Sequence, residues 1–221
     1  MDIMKAMQER HSVRSYTDKV IEQEIREGLL SEIKACNQES GLHIQLVTEE
    51  PDAFDSFMAH YGKFSGVKNY VALIGKKSSG LDEAVGYYGE RIALKAQQSG
   101  LNTCWVAMTF SKRKTKCVVN KGEKLVCVLA LGYGENQGIA HKSKPVTELS
   151  RCSSAMPDWY RRGMEAAMLA PTATNQQKFV LTFLDDKVKA EATGGFYSKV
   201  DLGIVKYHFE VGAGMENFNW A

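Results

Sequence analysis

Between Leu81 and Ser99, apolar side chains return at Leu81, Val85, Tyr88 and Ile92, the stripe of a helix with one buried face. Gly100 closes that helix, as glycine does at helix C-termini. Leu101-Asn102-Thr103-Cys104-Trp105-Val106-Ala107-Met108 follows at once as a strand. A long amphipathic helix leading straight into a strand asks for a layered fold in which helices cover a sheet.

The rest of the chain repeats this alternation. Residues 2–9 predict a short helix with Ile3 and Met7 on one face. Ile21, Ile25, Leu29 and Ile33 recur at every fourth position and predict a second helix, ending near Asn37-Gln38-Glu39-Ser40-Gly41. Leu42–Val47 reads as a strand in which His43 and Gln45 alternate with apolar residues. Pro51 opens a short helix to about His60. Tyr70–Ile74 and Lys124–Leu131 read as buried strands. A helix over residues 157–170 begins well at Pro157. A strand at Lys178–Leu184, a Gly194-Gly195 loop and a helix from Val200 to about Gly212 complete the order. The aromatic tail Met215–Trp220 is built for docking rather than disorder. The order predicts an α+β fold, with a mixed sheet of four or five strands flanked by helices. No G-x-G-x-x-G occurs, which argues against a dinucleotide held in the Rossmann manner.

The 221 residues suffice for one domain with a real core, and 44% apolar and 24% charged residues suit a soluble globular chain. The net charge of +2 argues against a general nucleic-acid binder. Lys112, Arg113, Lys114 and Lys116 read as a solvated basic face. Cys36, Cys104, Cys117, Cys127 and Cys152 form no C-x-x-C pair, and the five histidines show no H-x-x-x-H spacing, so no metal site is expected. Such scattered cysteines suit a cytoplasmic location. No stretch reads as a membrane span or a signal peptide.

Two polar stretches carry chemistry. In Arg10-His11-Ser12-Val13-Arg14-Ser15-Tyr16, the residues Arg10, Ser12 and Arg14 alternate, so an extended segment would turn two guanidiniums and a hydroxyl the same way. That set suits a phosphate dianion, although two solvent-facing arginines would give the same spacing. In Ala170-Pro171-Thr172-Ala173-Thr174-Asn175-Gln176-Gln177, proline stops a helix and five uncharged polar side chains crowd the turn. They suit a flat heteroaromatic ligand, or equally a well-satisfied loop that pins the next strand.

The second stretch resembles the A-P-S-x-x-N-x-Q segment of the FMN-dependent nitroreductase family, and the first resembles that family's R-x-S-x-R-x-[FY] phosphate-binding segment. Gly-Leu-x-Thr-Cys-Trp at residues 100–105 resembles the join between the family's central helix and the strand after it. Ala130-Leu131-Gly132-Tyr133 resembles the family's A-x-G-Y segment, which leads into a basic stretch, here Lys142 and Lys144. The likeness implies FMN as cofactor and NADH or NADPH as reductant. It implies a phosphate held by Arg10, His11, Ser12, Arg14, Lys142 and Lys144. Ring or ribityl contacts would come from Thr172, Thr174, Asn175 and Gln177. Backbone N–H groups at Ala107 and Met108, beside Thr109, would face the ring. Many family members have an acidic residue and a glycine there, and proline and tryptophan where this chain has Lys178 and Phe179.

The late position of the Ala170–Gln177 stretch is unusual for that family. Gly28-Leu29 precedes Cys36 as Gly163-Met164 precedes Pro171, and Leu81-Asp82 is matched by Val200-Asp201. The expectation is one domain over residues 1–221 with partial repeats at 21–100 and 157–214. Such a chain would be either a homodimer or a pseudo-dimer in itself. The implied activity is reduction of a small electrophilic organic molecule by hydride transfer through the flavin. The alternative is a flavin-binding module without turnover, with no nucleic acid or membrane as partner in either case.

Overall fold

The computed structural model describes residues 1–55, 57–152, 155–184 and 187–221. The chain forms two compact units. One comprises Met1–Gln8, Asp82–Arg91 and His141–Ala221; the other comprises Glu9–Leu81 and Ile92–Ala140.

The unit built from Glu9–Leu81 and Ile92–Ala140 centres on four strands: β1 (Gln45–Val47), β2 (Asn69–Lys76), β3 (Asn102–Val106) and β4 (Glu123–Gly132). Their order is β1-β2-β4-β3, and every neighbouring pair is antiparallel. β4 lies between two strands, so Leu125–Leu131 is buried throughout and the sequence shows an unbroken apolar run there. The β2–β4 register slips between Leu73 and Ile74, a bulge in the ladder. Helix α2 (Gln23–Ser40) buries Leu29, Ile33 and Cys36 and ends at Gly41, whose φ of 70° is left-handed. The expected strand at Leu42–Val47 is shortened because its first residues are drawn to the end of α2. Leu42 N–H donates to Ser40 Oγ, and Asn37 binds both the N–H and the C=O of Ile44. Five-residue helix α3 (Phe57–Tyr61) follows, and Phe54, Phe64, Tyr70 and Phe110 pack in the core on one face of the sheet.

The other unit holds a second four-stranded sheet: β5 (Ser150–Cys152), β6 (Phe179–Leu184), β7 (Lys187–Ala192) and β8 (Asn219–Trp220), in that order. It is mixed: β5 and β6 are parallel, β6 and β7 antiparallel, β7 and β8 parallel. The α+β class expected from the sequence holds, with the strands divided between two sheets rather than gathered in one. β5 and β8 are too short to show a period. β7 alternates charge with Val and Ala and buries only Val188, so it carries a weak strand signal.

Helix α7 (Ser198–Ala213) is the centre of this unit and is buried along most of its length. It lies against α6 (Asp158–Ala167) and against the Asp82–Arg91 part of α4 (Leu81–Gln98). Glycine permits each approach. A Cβ on Gly86 would sit 1.9 Å from Val200 O, one on Gly203 would sit 2.0 Å from Glu83 O, and one on Gly163 would meet the Phe209 ring at 2.6 Å. His208 and Glu90, both fully buried, meet at 3.0 Å, and His208 Nδ1 donates to Ala166 O. The aromatic tail docks as expected. Phe218 stacks on Trp159, Trp220 Nε1 donates to Glu210 at 2.7 Å, and Lys206 lies 4.9 Å above the Trp220 ring. Among the described residues, no helix is long and apolar enough to cross a membrane.

Candidate functional site

The N-terminal polar segment is extended and tied to several elements of its unit. Val13 N–H donates to Thr103 O, Ser65 N–H to Arg14 O, Tyr16 N–H to Ser65 O and Glu135 N–H to Ser15 O, all at 3.0 Å. Val13 and Tyr16 turn into the core, and the Tyr16 hydroxyl donates to Val13 O at 2.7 Å. With those two side chains inside, Arg14 is exposed, His11 and Ser12 are half-buried, and Arg10 is buried at 3% exposure. The alternation expected of Arg10, Ser12 and Arg14 therefore spans a gradient of depth. The buried Cys104 thiol lies within electrostatic reach of this segment. Burial pushes that thiol up, against the pull of Arg14, of a hydrogen bond with Ser12 and of Arg10.

Ala107, Met108 and Thr109 lie just past the end of β3, where the sequence placed them. Met108 is 63% exposed, while Ala107 and Thr109 are half-buried. Gly62 allows the preceding loop to rest on Thr109, since a Cβ there would come within 2.7 Å of the Thr109 Cβ. The basic run Lys112–Lys114 forms a single exposed 3-10 turn, and Lys114 Nζ donates to Asp55 O.

The turn after α6 holds an uncommon backbone conformation. Thr174, Asn175 and Gln177 all take left-handed φ values, 50°, 57° and 45°, without a glycine among them. Such a position is uncommon for any non-glycine residue and an outlier for a β-branched one. Side chains hold the turn in this shape. Gln177 is buried, and its Oε1 accepts from Lys144 N–H at 2.8 Å. Gln177 Nε2 donates to Lys142 O at 2.9 Å and to Asn175 Oδ1 at 2.8 Å. Asn175 Nδ2 also donates to Lys142 O, and Thr172 Oγ1 accepts from Gln177 N–H. The basic loop is thereby fastened to the turn: the backbone of Lys142 is held, and Lys144 Nζ donates to Gln177 O at 3.3 Å. Thr174 and Asn175 are left on the surface.

Sequence reasoning passed over Gln176 and Asp201. Asp201, in the first turn of α7, is 5% exposed. Its Oδ1 accepts from Ala173 N–H at 2.9 Å and its Oδ2 from Gln176 Nε2 at 2.7 Å. Burial pushes the Asp201 carboxyl up to about 6, even though the bonds from Gln176 and Ala173 pull it down. The available signal was the apolar–Asp pair opening the helix, but an acidic residue in a first turn ordinarily reads as an exposed dipole partner. Among the described residues, no group of three or more His, Cys, Asp or Glu side chains is placed to hold a metal ion.

Two four-stranded sheets with helices, an extended arginine-bearing segment and a strained polar turn define a nitroreductase-like fold. The family described as "putative TM nitroreductase" matches residues 2–213, and the chain belongs to it, as an oxidoreductase of nitroreductase type. A putative nitroreductase from Thermotoga maritima superposes with a TM-score of 0.64 at 20% identity, covering 96% of this chain and 83% of that one. A putative nitroreductase from Desulfovibrio desulfuricans, solved in complex with FMN, gives 0.51 at 14% identity over 67% of this chain and 94% of that one. A putative NADH dehydrogenase/NAD(P)H nitroreductase from Parabacteroides distasonis gives 0.53 at 16% identity over 66% and 95%. No curated protein matches the chain.

Proposed function

We propose that the protein is an FMN-dependent oxidoreductase that draws electrons from NADH or NADPH and passes them to a small electrophilic organic acceptor of the nitroaromatic, quinone or enone class. The observation that carries this reading is the extended segment on which Arg10, Ser12 and Arg14 alternate, its backbone fixed by its neighbours. Two guanidiniums and a hydroxyl on one short segment suit a phosphate dianion, because forked N–H donors match phosphate oxygens. The FMN bound in the Desulfovibrio desulfuricans protein supports the same choice of cofactor.

Bound FMN would supply two-electron redox chemistry at its ring, and the protein's part is to bind and orient it. Arg10, Ser12 and Arg14, with His11 beside them, would hold the phosphate. Backbone N–H groups at Ala107 and Met108, beside Thr109, would stabilise negative charge on the ring, as an oxyanion hole does. Thr174 and Asn175 would present polar groups to the ring or ribityl chain, while Thr172 and Gln177 keep the turn in shape. No side chain is assigned as proton donor. Five free thiols suit work in a reducing cytoplasm. The same reading takes residues 21–100 and 157–214 as partial repeats, since each opens and closes with a helix around an antiparallel strand pair, the first with the extra helix α3 between its strands.

An absorption spectrum before and after addition of FMN, with the released chromophore identified by chromatography, tests the cofactor. Flavin bands near one equivalent per chain are expected. NADH or NADPH oxidation under air above that of free FMN separates an enzyme from a flavin store. Arg14→Ala, at an exposed position, should weaken FMN by about 1.5–3 kcal/mol and leave riboflavin unchanged. Equal losses for both ligands would remove the phosphate assignment.

A further inference from the structure

We propose that Asp201 is a positioning residue for the cofactor-facing turn, its carboxylate gripping Ala173 and Gln176 so that Thr174 and Asn175 present their groups in one fixed direction. The inference rests on the flavin reading above. Both carboxylate oxygens are engaged: Oδ1 takes the Ala173 N–H just before the left-handed pair, and Oδ2 takes the Gln176 side chain just after it. Gln176 Nε2 also donates to Phe196 O at 2.9 Å, which ties the turn to the loop ahead of α7. Gly195 makes room for this clasp, since a Cβ there would stand 2.3 Å from Gln176 Oε1.

The strain of the turn gives the grip its purpose. Thr174 at φ 50° and Asn175 at φ 57° lie between the two gripped residues, and neither conformation is one the residue prefers alone. Left-handed backbone persists only where its surroundings over-determine it. Asp201 does not serve as the cap of its own helix: the cap position is Tyr197, and Asp201 N–H donates to Tyr197 O as in any helix start. A carboxylate taken to 5% exposure is an unfavourable group to bury for packing alone, and here its oxygens point at the turn.

The test compares wild type, Asp201→Asn and Asp201→Ala in two ways: titration with FMN and with riboflavin, and hydrogen exchange at Ala173 without flavin. Asp201→Ala is expected to weaken both ligands by the same factor, tenfold or more, because the turn meets the ring or ribityl part that they share. It should also speed exchange at Ala173 by tenfold or more. Asp201→Asn keeps the acceptor for Ala173 and loses that for Gln176, so it should fall in between. This pattern differs from that of Arg14→Ala, which should weaken FMN alone. Wild-type binding of FMN with Asp201→Ala within twofold of it would overturn this assignment and leave the cofactor reading standing, whatever exchange does. A wild-type protein that takes up no flavin would overturn the cofactor reading and this assignment together.

Discussion

Each unit contains a helix that turns into the first strand of an antiparallel pair, and the two turns are built on opposite principles. After α2 the chain uses one glycine, Gly41 at φ 70°, with nothing within 4 Å of where its Cβ would be. Its N–H closes on Asn37 O, and the Asn37 side chain holds Ile44. After α6 the chain reaches β6 through Thr174, Asn175 and Gln177, all left-handed, with Thr172, Asn175, Gln177 and Asp201 holding them there. The first turn is relaxed and cheap. The second carries strain on the order of 1–3 kcal/mol per residue, least for Asn, and buries polar groups to keep it. A turn that only had to connect could have used the first solution. The second places polar side chains and N–H groups in directions that a relaxed turn cannot reach.

The sharpest way to break this contrast is at the residue that organises each turn. Gln177→Ala removes the partners of Lys144 N–H and Asn175 Oδ1 and one of the two donors to Lys142 O, so a loss of about 3 kcal/mol in stability is expected, with flavin affinity falling as well. Asn37→Ala should cost about 2 kcal/mol and leave flavin affinity unchanged. Urea unfolding and flavin titration of both variants check this. A change in flavin affinity for Asn37→Ala would erase the distinction.

pH offers a second test, because Asp201 has its carboxyl raised to about 6 by burial from an ordinary 3.8. A raised folded-state value means that the native state favours the protonated form. The stability this contributes is complete below about pH 4 and is lost as pH rises through about 6. Relative to Asp201→Asn, wild type should therefore lose up to about 3 kcal/mol between pH 4 and pH 7. Chemical unfolding of both proteins across that range checks it; parallel curves would show that Asp201 does not titrate there.

The smallest effect compares the left-handed positions themselves. Thr174→Asn puts a residue that tolerates this region where a β-branched one is strained, so a gain of about 1 kcal/mol is expected. Gly41→Ala should cost about 1 kcal/mol, from φ alone, since the space is open. Thermal melts of the two variants should move in opposite directions.

Much of the scaffold was legible because its signals are periodic. α4, β4 and α7 announce themselves through stripes or unbroken apolar runs, and Pro157 and Gly100 mark real helix ends. β5, β7 and β8 were not legible: two are only three and two residues long, and Lys187–Ala192 alternates charge without apolar weight. At the candidate site, the sequence brought out the residue types of both polar stretches. It did not show that Gln177 is buried and turned toward the chain itself, because left-handed backbone without glycine leaves no compositional trace. It did not show Asp201 either, since a buried carboxylate and an exposed helix-start carboxylate have the same local sequence. The descent from exposed Arg14 to buried Arg10 depends on Val13 and Tyr16 entering the core, and the spacing of polar residues alone does not reveal it.

The division of the chain has a consequence for how it is made on the ribosome. The unit formed by Glu9–Leu81 and Ile92–Ala140 has all its residues once the nascent chain has passed position 140. The other needs Asp82–Arg91 early and α7 late. Until residues 198–213 emerge, Gly86 and Glu90 on α4 lack the helix that covers them in the native state. Translation therefore passes through an interval in which one half-finished helix surface is open to chaperones and proteases. Slowed elongation after position 140 should reduce yield more than slowed elongation before position 82.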